Sequence, residues 1–581
     1  MQAFIGSAWL PARYWRATES GGLHTITSLR RQAVHRWSRG RAARRMPLRG
    51  VATEADDRGA QTAEQPRRQP QQGAPYARRP RICVLGGGFG GLYAALRLAQ
   101  LPWGRDVRRS PGRGPAASTP SERGSDSAGS SPSTYSRLLR PEIVLIDVRE
   151  RFVFMPLLYE LVTGEMSAWE VAPPFSELLA STDIRFVQAQ ATALDVANKV
   201  VKFRRVGADE ATTAETSLSF ERLVIALGSE DTRALVPGAK AFALGFRSVN
   251  EALALRERLR ELEASGKETI RVVVVGGGYS GVELACNLSD RLRTRGQVQI
   301  IERGRDIMLN STEFNRRQAK RALQARRIAV EPLTDVVEVA ADGLRLVARS
   351  PEPHNGGDGS SSSSSSSSNA SPSPYELRDV DLILWTAGTR VNAFLREHLP
   401  DDIARRNERG QLLTDTFLRL HDHPHITVLG DAACVIDPRT APGAQPRPYP
   451  MTAQIALQEA DYAAWNVWAS LTDRPLLPFE YVHLGEMVTL GRNDGSINLL
   501  GVFNLTGRVA HHLRRAAYIA RMPTDAHRIR VGLSYAAQPL AELLGGMASL
   551  AGEVLDAVGQ GQRTRRPGCT RGASDTEKEA R

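Results

Sequence analysis

The chain has 581 residues and a formal net charge of +13, length enough for three or four units of about 150 residues each. The excess charge is confined. Residues 1–50 hold ten Arg, no Lys and one acid, residues 101–140 hold seven Arg against three acids, and the remainder after residue 80 is close to neutral, which excludes a basic nucleic-acid-binding face on the folded part. The four cysteines, Cys83, Cys286, Cys434 and Cys569, are far apart in sequence, so neither a CxxC redox pair nor a zinc knuckle is expected and no metal site is assigned. No run of about 20 uncharged apolar residues occurs, so no spanning helix is expected.

Residues 1–79 are rich in Arg, Gln, Pro and Gly without a period. Their Arg-rich, acid-poor start, with scattered Ser, Thr and Ala, reads as an organelle transit peptide, with cleavage expected before Arg78; a disordered basic tail is the alternative. Arg81–Leu85 reads as a strand, followed by "GGGFGG" and a helix from after Gly91 to about Gln100. Residues 101–140 are a Gly, Ser, Pro and Arg insertion of low complexity, and "EIVLID" (142–147) is the next strand. The pattern returns at Val272–Val275, with "GGGYSG" and then "QVQIIE" (297–302). A second insertion, 351–374, contains nine consecutive Ser from 360 to 368. "VDLILWTAG" (380–388) and "ITVLGDAA" (426–433) read as buried strands ending in Gly, and 451–470 as an amphipathic helix. This alternation predicts an α/β fold with largely parallel sheets.

In both copies the glycines fall as GxGxxG: Gly86, Gly88 and Gly91, then Gly276, Gly278 and Gly281. The first permits the turn out of the strand, the second lets a pyrophosphate approach the backbone, and the third lets helix and strand pack closely, while free N–H groups at the helix start bind the anion. Each copy leads to a strand ending in an acid. Glu302 lies 21 residues after Gly281, and Asp147 falls in register once the insertion is discounted; such carboxylates accept hydrogen bonds from ribose hydroxyls. Two such sites imply one dinucleotide that stays and one that visits, FAD on the first loop and NADH or NADPH on the second. Asp431, ending a late strand, is expected to hold a ribityl hydroxyl, so that the NAD(P)H domain interrupts the FAD domain. The expected FAD site is Gly86, Gly88, Phe89, Gly90, Gly91, Asp147, Gly228, Gly430, Asp431 and Ala453. The expected nucleotide site is Gly276, Gly278, Tyr279, Gly281, Glu302 and Gly388. Glu302 favours NADH by repelling a 2′-phosphate, Arg303 and Arg305 soften that preference, and use of both nucleotides is expected.

Without a cysteine pair to relay them, electrons are expected to leave the flavin directly. On the residues "FVFMPLLYELVTG" (152–164), "GGGYSGVELA" (276–285), "LWTAG" (384–388), "LGDAA" (429–433) and "TAQIALQEADYAAWN" (452–466), the chain resembles the type II NAD(P)H:quinone oxidoreductases. The resemblance implies two Rossmann-like domains of the flavoprotein disulfide-reductase type and a quinone site at the AQxAxQ signature, Ala453–Gln458. There Gln454 and Gln458, four apart on one helix face, would hydrogen-bond a quinone carbonyl; a solvated face is the alternative. It also implies that Glu283 lies near the nicotinamide, the alternative being a first-turn acid favoured by the helix dipole. One departure is that "APPFSE" (172–177) lacks the Arg many members carry there, which leaves open the cation that stabilises reduced flavin. "RPLLPFEYVHLGEMVTLGRNDGSI" (474–497) and "RMPTDAHRIRVGLSY" (521–535) resemble the plastid branch, whose members reduce demethylphylloquinone or plastoquinone analogues at lipid bodies. That implies a plastid address, at a plastoglobule or thylakoid surface, with a mitochondrial one as the alternative.

A prenylated quinone lives in lipid, so a protein without a spanning helix would work as a peripheral one and would not pump protons. "RVAHHLRRAAYIARM" (508–522) aligns Val509, Leu513, Ala516 and Ala520 along one stripe with His and Arg elsewhere, and 540–558 is a second amphipathic candidate. Packing on the core or a homodimer interface is the alternative for both. Two other functions stand beside this one: a reductase of a small iron–sulfur protein, which would need a basic dock, and a non-enzymatic nucleotide sensor at lipid bodies, which would not need both ribose acids. The expected organisation is a leader (1–79), a first FAD-binding part (80–248), the NAD(P)H domain (249–374), a second FAD-binding part (375–470), a C-terminal membrane- and quinone-associated segment (471–560) and a disordered tail (561–581).

Overall fold

A computed structural model describes residues 79–103, 140–207, 214–350, 373–440, 445 and 447–537. The leader through residue 78, residues 104–139 and 351–372 of the two insertions, the amphipathic candidate at 540–558 and the tail lie outside the described residues.

The chain starts its first sheet with β1 (Arg81–Leu85), in which Ile82 to Leu85 are fully buried. Helix α1 (Phe89–Gln100) follows, beginning three residues earlier than expected because Gly90 and Gly91 lie in its first turn. Then come β2 (Glu142–Asp147), the short helix α2 (Leu158–Thr163), β3 (Arg185–Asp195), β4 (Val200–Arg205), β5 (Thr216–Ser219) and β6 (Arg222–Ile225). The chain leaves this sheet through β7 (Ser229–Asp231).

The second sheet begins at β8 (Leu244–Gly245), ahead of α3 (Val249–Ala264), β9 (Ile270–Val275), α4 (Tyr279–Leu292), β10 (Gly296–Ile301), α5 (Glu313–Ala325) and β11 (Ala329–Glu331). Next are β12 (Thr334–Val339), β13 (Leu344–Ala348) and β14 (Tyr375–Leu377), then β15 (Leu382–Trp385). The five parallel strands are ordered β11-β10-β9-β15-β8. The antiparallel β12-β13-β14 sheet covers one face, packing Leu344 and Leu346 with Val273, Val275, Ile301, Ile383 and Trp385 in one core.

The return is through β16 (Thr389–Val391), antiparallel to β7, so both crossings form one two-stranded ribbon. After β17 (Leu412–Leu413), β18 (Arg419–Leu420) and β19 (His423–Val428) complete the first sheet, whose order is β18-β19-β6-β1-β2-β3-β4-β5. Its centre is parallel, and β18, β4 and β5 are antiparallel additions. The expected domain limits move accordingly. Strands β14 and β15 lie after residue 374 and β8 before 249, outside the expected limits of the NAD(P)H domain, yet all three pair within the second domain. Low-complexity sequence marks an insertion, not the point at which the chain changes sheets.

Beyond β20 (Ala433–Cys434), helix α6 (Ala453–Leu471) is capped by Thr452, whose hydroxyl accepts from Ile455 N at 3.2 Å. It packs along α1, with Arg97 on Asp461 at 2.6 Å. Only its first two turns are amphipathic; from Tyr462 to Ala469 every residue is buried. The C-terminal segment holds an antiparallel sheet that the sequence reading did not include: β21 (Glu486–Thr489), β22 (Gly495–Leu499) and β23 (Phe503–Thr506). Helix α7 (Gly507–Ile519) follows. Its apolar stripe does face outward, Val509 being 66% exposed. The His and Arg residues do not form one outward basic face: His511, Arg514 and Arg515 are buried, as in the core-packing alternative, while Arg508 and His512 are exposed. Among the described residues no helix is long and apolar enough to cross a membrane.

Candidate active site

The two glycine loops repeat one geometry. Gly86 leaves β1 at φ +98° and Gly276 leaves β9 at φ +107°, a region that favours glycine. Gly86 N donates to Ile146 O and Gly276 N to Ile301 O, each at 2.8 Å, which ties each turn to the neighbouring strand. A Cβ at Gly91 or Gly281 would lie 1.8 Å from the carbonyl oxygen of Gly86 or Gly276, so helix and strand meet only without one. At Gly88 and Gly278 a Cβ would meet nothing within 4 Å, and neither helix has a side-chain cap. The N–H groups of α1 and α4 therefore face open space, as a pyrophosphate requires.

The two acids are placed alike. Asp147, at the end of β2, accepts from Gly87 N at 2.6 Å, and Glu302, just after β10, accepts from Gly277 N. Asp147 also takes Arg149 N at 2.8 Å, whereas Glu302 takes Gly304 N at 2.6 Å. Arg303 turns to Asp335 at 3.3 Å. Phe89 opens α1 with its ring edge-on to Phe152 and Phe154, at 5.3 and 5.2 Å. Tyr279 opens α4 within reach of Ser311 and Glu486. Gly90 packs flat on Leu429, where a Cβ would come within 2.0 Å.

Gly228 and Gly388 stand at the crossings between the domains, immediately before β7 and β16. Asp431 follows the tip of β19, and its carboxylate accepts from Ser229 Oγ at 2.6 Å; Arg247 Nη2 donates to the same hydroxyl at 2.8 Å. Gly430 N donates to Glu459 Oε2 at 2.6 Å. Glu459, on α6, is 2% exposed, and burial, reinforced by Asp431, pushes its carboxyl up to about 8 against the Gly430 hydrogen bond. Ala453 is the first residue of α6, beside the cleft lined by Gly430, Thr452 and Glu459. These groups fit a dinucleotide lying from the α1 terminus toward the α6 terminus. Glu459 went unnoticed in the sequence; its signal was a lone carboxylate on an apolar helix face.

Gln454 and Gln458 are both engaged by one segment, the strap from Tyr481 to Gly485. Gln458 holds Val482 at two points, Nε2 donating to its carbonyl at 2.9 Å and Oε1 accepting its N–H at 3.0 Å. Gln454 Nε2 donates to Gly485 O at 3.2 Å, while its Oε1 accepts from Leu484 N at 3.3 Å and from the Tyr481 hydroxyl. Each Nε2 keeps a second hydrogen. The strap is anchored at its far end by Glu486. Burial opposes ionisation of that group, but hydrogen bonds from Thr312 N at 2.9 Å, Ser311 Oγ at 2.8 Å and Asn315 Nδ2 at 3.2 Å outweigh it and hold the carboxyl below its usual range.

Glu283 lies in the second turn of α4, not the first, so the helix-start reading loses its basis. Its Oε1 accepts from Thr489 N at 3.0 Å. Desolvation pushes the carboxyl up to about 7, against the pull of Arg514. Arg514, fully buried on α7, pairs with Glu160 at 2.8 Å and lies between the Tyr159 and Tyr518 rings, 5.3 and 5.2 Å from their centres. Arg515 reaches the other oxygen of Glu160 at 3.2 Å. No local pattern marks these partners, which are more than 350 residues apart. Cys83, Cys286 and Cys434 are each buried and free, and among the described residues no His, Cys, Asp and Glu group could hold a metal ion.

The profile of the pyridine nucleotide-disulphide oxidoreductase family matches residues 124–460. The chain is 42% identical over 467 residues to the demethylphylloquinone reductase NdbB of Synechocystis sp., covering 80% of this chain and 98% of that protein. It is 34% identical to the alternative NAD(P)H-ubiquinone oxidoreductase C1, chloroplastic/mitochondrial, of Arabidopsis thaliana, covering 80% and 82%. Among solved structures, NDH2 from Plasmodium falciparum in complex with NADH superposes with TM-score 0.61 at 16% identity, covering 80% of this chain and 98% of that one, a likeness of fold.

Proposed function

The chain belongs to the pyridine nucleotide-disulphide oxidoreductases and, within them, to the type II NAD(P)H:quinone oxidoreductases, and on that premise we propose that its electron acceptor is a prenylated naphthoquinone of the demethylphylloquinone kind. The enzyme is a flavoprotein that carries electrons from NAD(P)H to a quinone. When bound, FAD supplies the two-electron relay between nicotinamide and quinone. The observation that carries the reading is the pair of uncapped glycine loops on separate sheets, each gripped by its own acid.

In the proposal each side chain has a task. Asp147 and Glu302 accept ribose hydroxyls while steadying the loops that face pyrophosphate. Asp431, held by Ser229 and Arg247, takes a ribityl hydroxyl, and Glu459 holds the Gly430 turn that presents it. Glu283 takes the nicotinamide side. The free hydrogens of Gln454 and Gln458 address a quinone carbonyl under the strap. Stopped-flow mixing tests the whole: NADH should bleach the flavin band, and a short-chain naphthoquinone should restore it. A flavin that NADH bleaches and no naphthoquinone restores refutes the acceptor.

Contact with lipid belongs to the same proposal. Leu500, Val502 and Phe503, at the β22–β23 turn, are 64, 85 and 53% exposed, and Val509 on α7 follows them closely in the chain. Apolar side chains at a turn and on one helix stripe suit an interface better than water. Flotation with vesicles should be lost in a Val502→Ser, Phe503→Ser variant whose NADH-to-dichlorophenolindophenol activity persists. A plastid address is likewise proposed from the relatives' names; a fusion of residues 1–79 to a fluorescent protein tests it by microscopy.

A further inference from the structure

Reduction of a quinone to a quinol takes two electrons and two hydrogens. NADH supplies both electrons and one hydrogen as hydride, so the second hydrogen must come from water as a proton. The amides of Gln454 and Gln458 can orient a carbonyl, but at neutral pH they cannot give a proton away. A group that can do so stands one bond further out. The Tyr481 hydroxyl donates to Gln454 Oε1, and 3.0 Å behind it lies His483 Nδ1. His483 is exposed to solvent and Tyr481 is half-buried, its ring edge-on to Tyr449 at 5.5 Å. The row therefore runs from bulk water to the face of α6 that carries the quinone signature.

We propose that His483 and Tyr481 form the proton relay of the quinone half-reaction, an inference that rests on the quinone reading of Gln454. A carbonyl oxygen that takes the free Nε2 hydrogen of Gln454 stands beside the phenol that now points at Oε1 of the same amide. As electrons reach the quinone, its oxygen takes the Tyr481 proton and the Tyr481 O–H bond breaks. The tyrosyl oxygen takes the Nδ1 proton of His483, and water reprotonates the imidazole. Charge and atoms balance as NADH, one proton and quinone giving NAD⁺ and quinol. Tyr481 is the catalytic member, in contact with substrate, and His483 acts through it. The phenol is well suited to pass a proton on without holding a charge, since burial pushes it up to about 12, with Glu486 and Tyr449 adding to the effect. The ionisable groups around the pair are Glu486 and Tyr449.

The strap positions these groups. Its backbone is pinned by Gln458 through Val482 and its end by Glu486, so Tyr481 and His483 are held on either side of a fixed residue. A relay of this kind contributes about a hundredfold or more to a proton-coupled step.

His483→Gln keeps a polar side chain at an exposed site and so tests the relay without disturbing the fold. With a soluble naphthoquinone at about pH 6, kcat should fall at least about tenfold. Quinone KM should stay within about twofold and NADH bleaching of the flavin should keep its rate, because neither uses the imidazole. Added imidazole should restore the lost rate. A variant with parental kcat, or a loss that imidazole does not restore, overturns the relay. If the parent's reduced flavin ignores naphthoquinones, the quinone reading itself fails, before any variant is compared.

Discussion

Replacing Glu459 with Gln should make the protein more stable, by an amount that grows with pH and then stops growing. The carboxyl is 2% exposed, and its folded value is raised from 4.5 to about 8, chiefly by burial. For a raised carboxyl, stability is fully present below the unfolded value and is lost as pH rises to the folded one. Between about pH 4.5 and about 8 only the unfolded state is ionised, so the cost accrues at about 1.4 kcal/mol per pH unit and totals at most about 5 kcal/mol. Above about pH 8 both states are ionised and the deficit is constant. The Gln amide oxygen can still accept the Gly430 N–H that Glu459 accepts at 2.6 Å, so the substitution removes the titration and leaves the turn in place. Thermal unfolding of the flavin-loaded enzyme, followed by flavin fluorescence in steps of pH, measures the gap in Tm. The variant should match the parent near about pH 5, exceed it by several degrees near about pH 8, and hold that margin beyond. Parallel Tm curves across this range would refute the assignment of a neutral buried Glu459.

Gly91→Ala should fail to give soluble protein, because its Cβ falls 1.8 Å from Gly86 O, whereas Gly88→Ala should fold with little retained flavin, read as the ratio of absorbance in the flavin band to that of protein. At the second loop, where a Cβ at Gly278 meets nothing within 4 Å, Gly278→Ala should keep its flavin and, on the proposed assignment of that loop to the visiting dinucleotide, raise the KM for NADH about tenfold or more. Arg514→Met leaves buried Glu160 with Arg515 as its one remaining ion-pair partner, at 3.2 Å, and should cost up to about 3–5 kcal/mol, and adding Glu160→Gln should recover part of it. Equal Tm values for the single and double variants would sink that account. Gln458→Ala removes both hydrogen bonds to Val482 and should cost about 1–2 kcal/mol locally, seen as faster amide exchange along the strap together with a higher quinone KM.

What the sequence by itself determined is everything carried by short range. The glycine triplets, the β-branched runs before them and the acids at the ends of the next strands act within one βαβ unit. The turn, the uncapped helix start and the strand-end acid were therefore legible, and the structure places Gly87 N on Asp147 and Gly277 N on Glu302 in matching geometry. The helix carrying Gln454 and Gln458 was legible from its period. Its surroundings were not: the two amides face a strap whose residues show no pattern naming a partner. The crossing points between sheets were misplaced because strand pairing, not composition, decides them; β15 joins β9 across a gap of more than a hundred residues. Helix α7 shows the limit most plainly. Its sequence reads as a basic amphipath, yet Arg514 and Arg515 turn inward, because Glu160 waits there to neutralise them and Tyr159 and Tyr518 to flank one of them. A buried charge depends on a counter-charge brought by folding, so only the tertiary structure could decide which face of that helix is inside.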